Sequence, residues 1–238
     1  MTRKEYFGEW LQQALFFINL EPWIWCGYTL VMALLFAVGK VSLALGIVIS
    51  VSCFFVGVGV AKYIDMQHNQ QTTQPLSWAI YNSLPLALLA AMTMLLLWFI
   101  FMAFYNVLSG EYSNILRFFF DWDLGVQHFK RKTVREVASW LYAYTDITLL
   151  FTLLMLCTFG SWFSFPLMLF QDYHWSVAKR LGDDTLATRK KTYYNMLAFL
   201  FFEALMCAAL TPLLTPIFYM LTSTLMYLSY KNLFEIKS

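Results

Sequence analysis

The sequence predicts an all-α protein: a polytopic transmembrane helix bundle of about six spans plus interfacial amphipathic helices. Hydrophobic residues make up 60% of its 238 residues, aromatic residues make up 19%, and the mean hydropathy is +0.60. An ordinary soluble core cannot bury so much apolar surface, so lipid must solvate much of the chain. A hydrocarbon layer of about 30 Å takes roughly 20 apolar residues per helix, and this length therefore accommodates about six helices.

The predicted spans follow one another with short links, so we expect one integral membrane domain over residues 1–238. An interfacial helix is predicted first, over 3–19, because polar residues such as Glu9 fall on one side of a 3.6-residue period and Trp10 and Phe17 fall on the other. Apolar runs then predict spans at about 23–39, 41–64, 84–106, 144–170, 196–211 and 217–230.

A polar and aromatic insertion over 108–140 separates the third predicted span from the fourth. Its aromatic stretch 118–122 is typical of a membrane interface, whereas the basic run 130–132 cannot cross hydrocarbon cheaply. We therefore expect a helix and a loop that lie on the membrane surface.

The basic residues predict an orientation. With the N-terminus in the cytoplasm, a six-span chain has Lys62, the cluster 179–191 and Lys231 on the cytoplasmic side, as the positive-inside rule requires. The same topology leaves the basic run 130–132 outside, against that rule. We expect a multi-pass protein of a bacterial inner (cytoplasmic) membrane, with both termini in the cytoplasm.

Several chemistries are not expected. The 16 Lys and Arg against 14 Asp and Glu give a formal charge of +2, so nucleic acid is not an expected partner. The four cysteines lie inside apolar runs and the three histidines are scattered, which predicts neither a disulfide framework nor a metal site. Nucleophile elbows, paired catalytic carboxylates and HExxH patterns are absent, so we predict no enzyme activity and no cofactor.

Glu203 is the one charged residue that lies near the middle of a predicted span, the fifth. A charged side chain there costs at least about 2 kcal/mol on insertion scales. One interpretation makes Glu203 a proton- or ion-coupling group, or a ligand for a cationic substrate. The other keeps it protonated or hydrogen-bonded to a neighbouring helix, and it has more support because no second buried charge completes a relay.

The second predicted span carries a stripe of small residues, Gly46, Ser50, Cys53 and Gly57. Small residues at spacings of three and four let two membrane helices approach closely. We interpret the stripe first as a helix contact within the chain. Dimerisation and a substrate path are the alternatives.

A basic cluster lies between the fourth and fifth predicted spans and comprises Lys179, Arg180, Arg189, Lys190 and Lys191. Such a juxtamembrane cluster is typical of a surface that faces anionic lipid headgroups. A docking site for a soluble protein is the alternative interpretation.

Three parts of the chain resemble a family of uncharacterised bacterial six-span inner-membrane proteins, a domain-of-unknown-function group. Trp10, Ala14 and Pro22 resemble its first amphipathic helix, which ends at a proline. The stretch from Ser164 to Asn195 is similar to its fourth-span exit, cytoplasmic helix and return, and the stretch from Tyr227 to Phe234 to its tyrosine-rich ending. The resemblance implies the fold and the location, and no activity, since the family has none assigned.

The favoured functional prediction is a non-enzymatic scaffold, assembly factor or regulatory component of the membrane. Small-residue packing faces, interfacial helices and a nearly featureless interior indicate it. A small-solute or ion transporter or channel subunit that uses Glu203 is the alternative. Expected partners are the lipid bilayer and either another membrane protein or further copies of the chain.

Overall fold

The computed structural model describes residues 7–39, 42–70, 73–110, 162–209 and 214–235, together with Thr133 and Glu136. Over these residues the fold is all-helical, as predicted, with eight α-helices, one π-helical turn and no strand. The elements are α1 (Phe7–Ile18), α2 (Pro22–Gly39), α3 (Leu43–His68), α4 (Leu76–Leu108), α5 (Ser164–Gln171), α6 (Trp175–Thr188), α7 (Lys190–Ala209), α8 (Thr215–Tyr230) and the π-turn (Lys231–Glu235).

Helix α1 has a buried apolar face and an exposed polar face. Trp10, Ala14 and Phe17, spaced by four and three residues, are its buried positions. The chain then turns through Asn19, and Pro22 begins α2, a position that a proline without an N–H group tolerates. The axes of α1 and α2 differ by 94°.

Helix α3 lies at the centre of the described fold and contacts α2, α4 and α8. The Ser42 side chain caps its first turn by accepting a hydrogen bond from the Leu45 N–H at 3.1 Å. At its other end the Asn69 side chain donates to the Asp65 carbonyl at 2.9 Å, and Gln70 turns the chain with a φ of +55°. Of the most apolar 18-residue window of α3, 72% is buried.

Helix α4 is longer than the third predicted span, which begins at residue 84. It starts at Leu76 and continues through Pro85 to Leu108. Pro85 removes one backbone hydrogen bond, to the Tyr81 carbonyl, but packing holds the helix together on both sides of it. The packed positions are small and buried, namely Ala79 and Ser83 before the proline and Ala87 and Ala91 after it.

Two described helices are long and apolar enough to cross a membrane, Ala44–His68 and Leu76–Leu108. The bent pair of α1 and α2 would be a third if it is one broken span. Helices α7 and α8 cover the fifth and sixth predicted spans, and α7 starts earlier, at Lys190.

The fourth predicted span, 144–170, is described only from residue 162 onward. From there a turn at Trp162 and Phe163 leads into the eight-residue helix α5, which ends at Gln171. Apart from 108–110, Thr133 and Glu136, the predicted insertion 108–140 lies outside the described residues.

One end of the bundle, here called the polar end, gathers α1, the last turns of α3, α5, α6 and the π-turn. The Asn232 side chain donates to Gln13 Oε1 at 2.7 Å, and the rings of Phe163 and Phe234 lie 5.5 Å apart. The described chain therefore begins and ends at the same end of the bundle.

Candidate functional site

The largest set of charged contacts among the described residues lies at the polar end and centres on Asp65. Lys231 donates to both carboxylate oxygens of Asp65, at 2.6 and 2.7 Å. The Tyr227 hydroxyl donates to Oδ2 at 2.5 Å. One carboxylate at the end of α3 thus binds two side chains from the end of α8.

A second ion pair lies beside the first. Lys62 Nζ is 2.6 Å from Glu235 Oε1 and also lies over the rings of Phe170 and Tyr227, 5.6 and 5.9 Å from their centroids. Two pairs of opposite charge therefore fix the π-turn to α3. Asp65, Tyr227, Lys231, Lys62 and Glu235 are together called the ionic cluster below.

Sequence reasoning missed the ionic cluster. Lys62 and Lys231 were used only to predict the orientation, because Asp65 and Lys231 are 166 residues apart and no local spacing joins them. The available signal was weak: a tyrosine and a lysine one helical turn apart at the end of the last apolar run.

Glu203 lies in the interior, 1% exposed, at the contact between α7 and α8. The Thr222 hydroxyl donates to its Oε2 at 2.8 Å. Within the described part of the chain its Oε1 has no hydrogen-bond partner. One interpretation of the sequence gave Glu203 a hydrogen bond to a neighbouring helix. Among the described residues, Oε2 has such a bond and Oε1 does not.

Hydroxyl groups form a layer near Glu203. Thr222 is followed on α8 by the buried Ser223, and the Tyr28 hydroxyl of α2 donates to the Cys53 carbonyl at 2.8 Å. A Cβ atom added at Gly57 would meet both Tyr28 and Ser223. Polar groups from α2, α3, α7 and α8 therefore lie within an otherwise apolar bundle.

The small-residue stripe packs inside the chain. Gly46, Ser50, Cys53 and Gly57 are all buried, and Gly57 faces α2 and α8. A Cβ atom there would lie 2.6 Å from Ser223 Oγ, so only glycine fits without a shift. The interpretation of the whole stripe as a helix contact within one chain stays a prediction.

The basic cluster divides along α6: Lys179 and Arg180 lie in its second turn, about 15 Å along the helix from the other three residues at its junction with α7. Arg180, Lys190 and Lys191 are exposed, and Lys179 and Arg189 are half-buried. The structure brings all five to the polar end and separates them from Glu203, which lies about 20 Å along α7 from Lys190. Both interpretations of the cluster, lipid headgroups and a soluble protein, stay open.

No group of three or more His, Cys, Asp or Glu that could hold a metal ion occurs among the described residues. Comparison of the chain with protein-family models, with curated proteins and with solved structures finds no match. The resemblance to the six-span family stays a prediction.

We expect the Asp65–Lys231 pair to stabilise the fold more than the Lys62–Glu235 pair. In the first pair Lys231, 29% exposed, reaches both oxygens of Asp65, which is 13% exposed and also accepts from Tyr227. In the second pair Lys62 reaches one oxygen of Glu235, and both side chains are about a quarter exposed. Double-mutant cycles to alanine, measured by denaturant titration in micelles, should couple the first pair by about 1–2 kcal/mol. The second pair should couple by less than about 1 kcal/mol. Equal couplings would contradict the difference in geometry.

Proposed function

We propose that the chain is a non-enzymatic scaffold, assembly or regulatory component of a bacterial inner membrane. It would cross the membrane six times with both termini in the cytoplasm. The outer face of α4, defined as the exposed side of Leu76–Leu108, would bind another membrane protein.

The outer face of α4 carries this proposal. Only 22% of its most apolar window is buried, and none of its 33 residues is charged. At 1.5 Å per residue the helix is about 50 Å long, and the part after Pro85 alone is about 35 Å long. A tilt of about 30° fits the part after Pro85 into a hydrocarbon layer of about 30 Å, so the proposal rests on the breadth of the unburied, uncharged face and not on the length of the helix.

The proposed topology has two supports. The described chain begins and ends at the polar end, where Gln13 meets Asn232, and this supports an even number of crossings. Lys62, Lys231 and the cluster 179–191 also lie at this end, which favours the cytoplasmic side under the positive-inside rule.

Photo-crosslinking tests the scaffold. A photoreactive residue is introduced at Leu96 or Phe104, which are exposed on α4, and at the buried Ala91 as a matched control on the same helix. After irradiation of intact membranes, the exposed positions should form an adduct with one distinct protein, and Ala91 should not. Adducts of twice the chain's mass would make the partner a second copy. Lipid adducts alone would contradict the proposal.

The second candidate is a transporter or channel subunit that uses Glu203. One observation favours it: Glu203 Oε1 is buried without a partner in the described interior, where a proton or cation would satisfy it. The proposed scaffold does not require this oxygen.

Glu203→Gln separates the two candidates, because it removes the exchangeable proton and keeps the shape. Glu235→Gln in the ionic cluster is the matched control. If the chain is a scaffold, both variants should keep normal abundance and crosslinks and should not change proton flux into proteoliposomes. A proton flux that Glu203→Gln abolishes and Glu235→Gln retains would replace the scaffold with transport.

A further inference from the structure

A groove runs along α3 between α2 and α4, with a volume of about 540 Å³. Its walls are residues 23–35 of α2 and 76–88 of α4, and its floor is residues 48–60 of α3. We propose that this groove binds one acyl chain of a membrane lipid. The inference is independent of the scaffold, since the groove is bounded by residues 76–88 of α4 and the scaffold is tested further along the helix, at Leu96 and Phe104.

The lining excludes a polar occupant. None of the residues that line the groove is charged, and its two hydroxyl groups belong to Tyr28 and Ser52. Tyr28 already donates to the Cys53 carbonyl, which leaves Ser52 Oγ as the one lining hydroxyl without a partner. A bound water needs two to four polar partners, so water has too few in this groove and an apolar group suits it better.

The size of the groove selects a single chain rather than a helix. A partner helix that crosses the membrane would follow α3 for about 30 Å, whereas the groove extends over only 13 residues of each wall, or about 18 Å. One acyl chain is narrow enough. The groove therefore does not suit a partner helix or the helix of a second copy.

The groove has the depth of one membrane leaflet. Each of its three sides covers 13 residues, or about 18 Å, against about 15 Å for half of the hydrocarbon layer. Trp23, which is 84% exposed, lies at the end of the groove that is nearer the polar end of the bundle. Tryptophan side chains favour the headgroup boundary of a membrane. The lipid headgroup would lie near Trp23 and the chain end near Leu35 and Leu88.

The groove is continuous with the lipid-exposed side of α4. Leu84 and Leu88 line it and are themselves about 40% exposed, and the neighbouring Leu89 is exposed further. A chain can therefore enter sideways from the bilayer without any opening of the bundle. Burial of the acyl chain would join α2 to α4 through apolar contacts.

Gly27 offers a direct way to block the groove. It lines the groove, and a Cβ atom there would meet nothing within 4 Å, so Gly27→Leu fills the groove without a clash. Gly8 in α1 is the matched control, an exposed helical glycine with equally open space that does not line the groove. The leucine side chain introduced at position 27 would displace about two methylene groups of the bound acyl chain. Each methylene changes the partition of the chain between the groove and its surroundings by about fourfold.

The experiment uses the full chain in phosphatidylcholine vesicles that contain a phosphatidylcholine with a diazirine in mid-chain. After photolysis, mass spectrometry compares labelling of the groove floor at Val56 with labelling of the outer face of α4 at Leu96. Wild-type protein and Gly8→Leu should be labelled at both sites. Gly27→Leu should lose labelling at Val56 about tenfold and keep it at Leu96.

Gly27→Ala gives an intermediate variant that perturbs the helix even less, and it should reduce labelling at Val56 partially. Retained labelling at Leu96 shows that a variant is folded in the vesicle. An unlabelled Val56 in the wild-type protein, or equal labelling in Gly27→Leu and Gly8→Leu, would overturn the proposal.

Discussion

The close burial of α3 between other helices is the constraint on which the rest of the structure depends. Gly57 and Gly59 lie on opposite sides of this helix, Gly57 against α2 and α8 and Gly59 against α4. A Cβ atom at Gly59 would lie only 2.8 Å from Cβ of Ser83. Lipid offers no hydrophobic drive for helices to associate, so such close van der Waals contact supplies much of the attraction.

The candidate functional features lie at different depths around α3. The ionic cluster closes the polar end, where water can solvate its partly exposed charges, and it joins the end of α3 to the end of α8. Glu203 lies deeper, with a single hydroxyl partner. The buried positions of α4 around Pro85 are small, whereas large side chains such as Leu89, Leu96 and Phe104 are exposed on its outer face.

Sequence patterns could predict the elements whose signal is local. The face of α1 follows from the spacing of Trp10, Ala14 and Phe17, and α3 from an unbroken apolar run. The continuity of α4 through Pro85 could not be predicted in this way. Pro85 indicates a helix start, but the buried small residues on either side of it hold the helix through the proline.

The candidate site was only half predictable, for a similar reason. Glu203 is visible as a charge within an apolar run, but its partner Thr222 is one of many hydroxyl residues in α8. The ionic cluster depends on contacts across more than 160 residues. The groove is a space between helices, and no residue pattern marks a space.

The free energy of unfolding of glycine variants tests the central claim most directly. Gly59→Ala should lower it by about 1–3 kcal/mol, because the added methyl forces α3 and α4 apart. Gly27→Ala, where the space is open, should leave it unchanged or raise it by up to about 1 kcal/mol through helix propensity.

Ser83→Gly added to Gly59→Ala removes the side chain that the methyl meets and should restore part of the loss. Equal effects of Gly59→Ala and Gly27→Ala, with no rescue by Ser83→Gly, would contradict the close packing of α3.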